Sequence, residues 1–299
     1  MKKYAVLDIG GTQIKYGVID QQGELLWWKQ EDTNAQQGGL KILETVIQLI
    51  QGIQKSTELS GVGISTAGVV DPLKGRILYA NSNIPGYTGI EVKKMIEKET
   101  HLSCEVENDV SCAGLCEAHL GAGKGVHHVA CITIGTGIGG SLIVNGHVYH
   151  GGNYCAGEIG YLPVYNSTLE QEASMSALLS RVNQKREKGY ELGGKEIFHK
   201  ALQKDLLCQQ EVDRMCQYLG KGLASISVLM NPEMIVIGGG VSAQGEWFRK
   251  KIEGEFLSHS LPNRIQNTKV VLAQKGNQAG MIGAWIHFIQ QQGGTNERV

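Results

Sequence analysis

Apolar positions near the N-terminus repeat at strand spacing. Tyr4 to Ile9 is an apolar run broken by Gly10-Gly11-Thr12, Ile14 to Ile19 alternates, and Glu24 to Trp28 follows a Gln22-Gly23 turn. This predicts a three-stranded meander. Leu40, Leu43, Ile47 and Ile50 then fall at helical spacing, predicting a helix over 40–53. Gly61 to Ser65 reads as a short strand, Ile90 to Lys98 as an amphipathic helix and Cys104 to Glu107 as a strand. Val110 to His119 reads as a helix begun by an Asn108-Asp109 cap.

After a glycine-rich joint at Gly121–Gly125 the opening pattern returns, about 125 residues on. His128 to Ile134 is strand-like and Gly135-Thr136-Gly137-Ile138-Gly139-Gly140 reads as a turn. Ser141 to Val144 is a strand, and Asn145-Gly146 is a hairpin signal before His147 to Tyr149. Later come a helix over 212–229 stopped by Asn231-Pro232, strands at Met234–Ile237 and Val270–Leu272, and a last helix at Ala279–Ile289. Strands alternating with helices predict an α/β class, and the two meanders predict mixed sheets. The domains expected are an N-terminal lobe over 1–119, rejoined by a helix over 279–292, a C-terminal lobe over 120–278 and a polar tail over 293–299.

Composition narrows the function. The chain has 299 residues, a formal net charge of -1 and 41 glycines without a collagen-like period. Near-neutral charge argues against a nucleic-acid partner. No apolar run approaches a membrane span and no signal peptide is visible, so no membrane partner is expected. The seven cysteines fit neither a disulfide framework nor paired zinc motifs, which suggests buried thiols in a cytoplasmic protein. A metal site on Cys112 and Cys116 would need further ligands to close.

Three glycine clusters each follow an apolar strand: Asp8-Ile9-Gly10-Gly11-Thr12, Gly135–Gly140 and Gly238-Gly239-Gly240. Glycines let backbone N–H groups approach an anion, Thr12 and Thr136 add hydroxyls, and Asp8 is placed to hold a hydrated Mg²⁺. One such cluster is usually only a tight turn; three, with Asp and Thr beside them, point to a nucleotide phosphate site. Gly135-x-Gly137-x-x-Gly140 is not a dinucleotide fingerprint, because a strand follows it where a helix is required. Gly189 to Lys195 mimics a Walker loop, but Glu196 stands where Ser or Thr belongs and no buried strand precedes it.

The acidic positions come next. Asp109 alone is accounted for as a helix N-cap, but phosphoryl transfer to a hydroxyl needs a base, and Glu107 and Asn108 crowd the same junction. Glu158, in Gly157-Glu158-Ile159-Gly160, reads equally well as an exposed loop carboxylate. Glu170 and Glu172 suit a helix N-terminus, and Asn83 suits a turn.

Taken in order, the segments DIGGT (8–12), ISTAG (64–68), NIPGY (83–87), END (107–109), IGTGIGG (134–140), GEIG (157–160), Asn231-Pro232 and IGGGVS (237–242) make the chain resemble a sugar kinase of the ROK family, within the actin-like ATPase superfamily. The likeness spans roughly residues 3 to 290. It implies a two-lobed actin-like (ribonuclease H-like) ATPase fold with mixed sheets flanked by helices, closing on ATP, Mg²⁺ and a sugar. It implies Asp109 as the base that activates a sugar hydroxyl, usually O6. Asn83, Asn108, Glu158 and Glu170 would hydrogen-bond the sugar, with Gly68 near it. Asp8, Gly10, Gly11, Thr12, Thr136 and Gly137 would cradle phosphates and Mg²⁺, and Gly239 and Gly240 would lie by the adenosine. A homodimer is common in that family.

Two departures bear on substrate. Most family members carry a cysteine-rich zinc motif after the Glu158 segment, with a His that also touches the sugar. Tyr161 stands at that His position, and Leu162 to Leu178 contains no cysteine, so no structural zinc is expected. Without the motif the sugar-contacting carboxylate is Glu170 or, failing that, Glu172. A zinc-less, Tyr-bearing member resembles the family's β-glucoside kinases, which phosphorylate O6 of the non-reducing glucose of cellobiose-like disaccharides. Glucose or N-acetylmannosamine are the alternative acceptors. A family repressor would need a helix-turn-helix before the first phosphate strand, which begins here at Tyr4. A non-catalytic sugar sensor and an actin-like filament or chaperone ATPase remain the competing classes.

Overall fold

The computed structural model describes residues 1–187, 189–262 and 267–293, so all but the first residue of the expected tail lies outside the described residues. The chain divides into two compact units. The first takes Met1–Cys116, His150–Cys155 and the chain from Asn277; the second takes Glu117–Tyr149 and Ala156–Gly276.

The first unit opens with the meander β1 (Lys3–Ile9), β2 (Gln13–Asp20) and β3 (Leu25–Asp32). β3 runs four residues past the predicted Trp28. It is an edge strand exposed along nearly its whole length, so no apolar alternation marks its end. After α1 (Gly39–Gln54) come β4 (Val62–Thr66), a hairpin of β5 (Val69–Asp71) and β6 (Arg76–Tyr79), α2 (Val92–Thr100), β7 (Cys104–Asn108) and α3 (Asp109–Leu120). The sheet order is β3-β2-β1-β4-β7, antiparallel through the meander and parallel from β1 to β7. Every residue of β4 is buried, as a central parallel strand requires.

The second unit repeats the plan. β8 (His128–Ile134), β9 (Ile138–Val144) and β10 (His147–Val148) form its meander. Asn145 and Gly146 carry φ of 52° and 79°, the paired left-handed residues of a type I′ turn. A small hairpin of β11 (Pro163–Val164) and β12 (Ser167–Thr168) leads into α4 (Leu169–Ala173) and α5 (Met175–Gln184). Then follow α6 (Gly194–Leu202), α7 (Leu206–Met230), β13 (Met234–Gly238), α8 (Gly245–His259) and β14 (Lys269–Leu272). Sheet order is β10-β9-β8-β13-β14, with β8, β13 and β14 parallel. Helix α9 (Ala279–Gly293) packs on β4, β1 and β7 of the first unit.

Several boundaries differ from the sequence reading. The expected turn over 135–140 is only Gly135-Thr136-Gly137, since Gly139 and Gly140 pair with Thr133 and Ile132 inside the ladder. Gly140 is glycine for packing: a Cβ there would lie 2.6 Å from the Gly157 carbonyl. α7 begins six residues before the predicted Val212, capped by Asp205, whose carboxylate accepts the Cys208 N–H. α4, α6 and α8 lie in charge-rich sequence and bury only a few apolar side chains each, such as Phe248, Ile252 and Phe256 of α8. The Walker-like Gly189 to Lys195 follows helix α5 and not a strand. Among the described residues no helix is long and apolar enough to cross a membrane.

Candidate active site

In the first unit three neighbouring strands place polar side chains in one row. Asp8 of β1 pairs in register with Ser65 of β4, and Ser65 with Glu107 of β7. In-register parallel partners share a sheet face. The Asp8 carboxylate accepts a hydrogen bond from the Ser65 hydroxyl at 2.7 Å and lies 3.2 Å from the Lys15 ammonium. Gly280 of α9 keeps that carboxylate accessible to the helix backbone, because a Cβ there would come within 2.6 Å of it. Lys15 was not singled out in the sequence. The hairpin geometry contains it: the Gly10–Thr12 turn pairs Ile9 with Ile14 and therefore Asp8 with Lys15. The loop itself is held by Thr33, whose hydroxyl donates to the Gly10 carbonyl at 2.7 Å and whose N–H donates to Thr12 O at 2.8 Å. A side chain at Gly11 would meet nothing within 4 Å, so its backbone is open to a ligand.

Asn108, not Asp109, caps α3. The Asn108 side-chain oxygen accepts the N–H groups of Val110 and Ser111 at 2.9 and 3.0 Å. Its amide donates to the Gly68 carbonyl at 2.9 Å and to Asp109 Oδ1 at 3.0 Å. Gly68 sits at φ 100°, where a Cβ would lie 2.7 Å from the Tyr79 carbonyl, so only glycine serves. Asp109 is thus the first residue of the helix, with one carboxylate oxygen oriented by Asn108 and the Val110 N–H. Asn83 lies on an exposed turn, its N–H accepted by Asn81 Oδ1 at 3.1 Å.

The Glu107 carboxylate is almost fully buried. One oxygen accepts the Asn108 backbone N–H at 2.7 Å; the other lies 2.6 Å from His150 Nε2 and 3.6 Å from His287 Nδ1. Burial pushes the His287 imidazole below its ordinary range, while the Glu107 charge works the other way. Cys112 is buried beside Glu107 and Asp8, and burial followed by those charges drives its thiol well above the usual range. Among the described residues no group of three or more His, Cys, Asp or Glu side chains is placed to hold a metal ion.

In the second unit the glycine turns lie at the same ends of adjacent strands, Gly135–Gly137 after β8 and Gly239-Gly240 after β13. Gly239, at φ 81°, leaves no space for a Cβ against the Ile134 backbone, whereas Gly240 faces open space. Met175 N–H donates to the Gly135 carbonyl at 2.9 Å, and Glu170 Oε2 accepts the Ile138 N–H at 2.9 Å. A Cβ on Gly137 would collide with the Glu170 carboxylate. Glu158 has its carboxyl pushed up, first by the protein packed around it and then by the Glu170 charge. Glu158, Glu170 and Gly137 therefore form one cluster, with Thr136 exposed at the turn beside it. Glu172 faces elsewhere: its carboxylate lies 2.8 Å from Arg214. Tyr161 is 72% exposed on a short 3₁₀ turn that Glu158 begins. Where a zinc loop would stand, Thr168 and Gln171 make a reciprocal capping box that starts α4 and carries Glu170.

Sequence comparison matches residues 4–291 to the ROK family. The chain belongs to that family. An uncharacterized protein of Clostridium perfringens is 46% identical over 96% of this chain and 98% of its own. A glucokinase of Halalkalibacterium halodurans is 33% identical, covering 99% and 97%. A β-glucoside kinase of Listeria innocua is 31% identical, covering 97% and 98%. Among solved structures, a ROK glucokinase of Streptomyces griseus in complex with glucose and AMPPNP superposes with a TM-score of 0.81 at 28% identity, covering 94% and 97%. A ROK family protein of Streptococcus pneumoniae in complex with sucrose gives 0.85 at 27% identity, covering 98% and 99%. This ROK protein is a carbohydrate kinase with the mixed α/β fold of the actin-like ATPases.

Proposed function

We propose that the chain transfers the γ-phosphoryl group of ATP to O6 of the non-reducing glucose of a cellobiose-like β-glucoside. The observation that carries this reading is the exposed Tyr161 at the position of the zinc-binding His, followed by a capped helix where the zinc loop would stand. An unobstructed O1 side would admit a second sugar ring. The β-glucoside kinase relative and the sucrose-bound neighbour support an acceptor larger than a monosaccharide.

The roles follow from the chemistry of each group. Asp109 accepts the hydroxyl proton as phosphoryl transfer proceeds, with its orientation set by Asn108. Asn83, Asn108, Glu158, Tyr161 and Glu170 recognise sugar hydroxyls, and Gly68 lets the chain pass close by; a sugar lacking one partner leaves a polar group unpaired, at about 1–3 kcal/mol. Of the two carboxylates on α4, Glu170 is assigned the role, since Glu172 is engaged by Arg214. Backbone N–H groups of Gly11 and Gly137 and the hydroxyls of Thr12 and Thr136 receive phosphate oxygens; Gly10, whose own N–H donates to the Gln13 carbonyl, shapes the turn that presents them, and Gly239 and Gly240 receive the adenosine. The donor set suits Mg²⁺, which is commonly held by one or two carboxylates with substrate phosphates completing its shell. Asp8 would hold it, and when bound it neutralises charge on the phosphates.

The test is ADP release with MgATP across cellobiose, gentiobiose, arbutin, glucose, N-acetylmannosamine and fructose. Preference for the β-glucosides by kcat/KM is expected. Preference for a monosaccharide would keep the kinase and sink the disaccharide reading.

A further inference from the structure

The Glu107 environment goes beyond what the sugar and phosphate roles require. A carboxylate buried to 1% exposure is costly unless each oxygen is paired. Here one oxygen holds the Asn108 N–H and the other meets His150 Nε2 at 2.6 Å. A carboxylate can only accept, so Nε2 carries the proton, and the short distance is that of a charge-assisted bond. His287 approaches the same oxygen only to 3.6 Å, beyond a hydrogen bond. His150 is therefore the side chain that satisfies the buried charge.

His150 also has a defined setting. It begins the 150–155 segment, which belongs to the first unit although the residues on either side belong to the second. Its ring meets the Tyr154 ring edge-on, with centroids 6.0 Å apart, and the Tyr154 hydroxyl bonds the buried Asp71. The His150 side chain is a quarter exposed, so one edge of the ring reaches solvent while Nε2 points inward.

We propose that His150 is a positioning residue for the kinase reaction, acting through Glu107 and Asn108 to set the direction of the Asp109 carboxylate. The connection is continuous: His150 Nε2 to Glu107, Glu107 to the Asn108 N–H, and the Asn108 amide to Asp109 Oδ1. Loss of the imidazole leaves Glu107 buried and half-paired, so the carboxyl turns towards another donor and releases the Asn108 backbone, and with it the amide that orients Asp109. The proposal rests on Asp109 being the base.

The experiment measures kcat and both KM values for His150→Ala, His150→Gln and Asp109→Asn, with His150→Ala repeated in added imidazole. Misplacing a reacting group by about 1 Å costs on the order of a hundredfold, so kcat of His150→Ala is expected to fall about ten- to a hundredfold while KM for ATP stays within about twofold. Gln keeps one N–H donor and should recover most of the rate even if the Ala variant folds poorly. Imidazole should restore part of it, since the site opens to solvent. A His150→Ala rate within about twofold of the parent overturns the proposal. So does a Gln variant as slow as Ala together with no imidazole rescue and a raised KM for ATP, which would mark His150 as a structural anchor only. An Asp109→Asn variant at full rate overturns the base assignment and the proposal together. A slow Asp109→Asn beside a normal His150→Ala overturns the proposal alone.

Discussion

Because Asn108 caps α3, the Asp109 carboxylate is not needed to start that helix. Its Oδ1 takes the Asn108 amide and the Val110 N–H, which aligns the carboxyl. Asp109→Asn preserves shape and removes the basic oxygen. Turnover is expected to drop by about 10²- to 10⁴-fold, with ATP binding by calorimetry unchanged. Near-normal turnover would place the base elsewhere. The residues missed in the sequence share one trait. Lys15, Ser65, Thr33 and His150 are unremarkable by type, and each gains meaning from a partner brought near by pairing or packing: Asp8, the Gly10–Thr12 loop or Glu107. In the sequence Glu107 is only a neighbour of Asp109, since nothing in one strand reports which side chains approach it.

At the scale of elements, helix α9 lies so close to strand β4 and to helix α3 that glycine is required at both contacts. A Cβ on Gly63 of β4 would lie 2.6 Å from the Ala284 carbonyl, and one on Gly283 would collide with the Cys112 carbonyl. Gly283→Ala must push the helix away, at about 1–3 kcal/mol. A fall in Tm of several degrees is expected. Gly254 of α8 is exposed, and a Cβ there would meet nothing within 4 Å. Gly254→Ala should therefore gain about 0.5–1 kcal/mol from reduced backbone entropy and raise Tm. Equal shifts in both variants would mean that α9 is more loosely packed than these distances require. The apolar periods of α1 and α7 announced those helices, because each buries a wide stripe. α6 and α8 bury few side chains, and β3 is an exposed edge, so their extents carried little signal.

For the whole molecule, the buried groups set how stability responds to pH. His287 is held neutral by burial, opposed by Glu107 and Glu105 and assisted by His150 and Lys93. Its folded pKa is below the ordinary 6.5, so the unfolded chain binds the extra proton first. Stability from this group is complete above about pH 6.5 and is lost as pH falls towards the folded pKa. Thermal melts between pH 7.5 and 5.5 should show a loss for the parent that His287→Leu reduces; identical pH slopes would count against it. Glu211 acts in a lower window. Burial raises its carboxyl, but Lys185 and Arg181 outweigh that and hold it below the ordinary 4.5, so its contribution disappears only in stronger acid.

The sequence alone determined the alternation of strands and helices, the repeated strand–glycine turn–strand opening and the ROK resemblance. Each of these is a local pattern: apolar period, turn chemistry and motif order require no knowledge of distant partners. Tertiary structure decided the rest. It shortened the second glycine turn to Gly135–Gly137, because Gly139 and Gly140 are needed in a ladder against β8. It turned Glu170 towards Gly137 and Glu172 towards Arg214, two residues apart on one short helix. It carried His150 into the first unit to pair with Glu107. These are choices between long-range partners, and a buried charge or a missing Cβ enforces them only after the chain has folded.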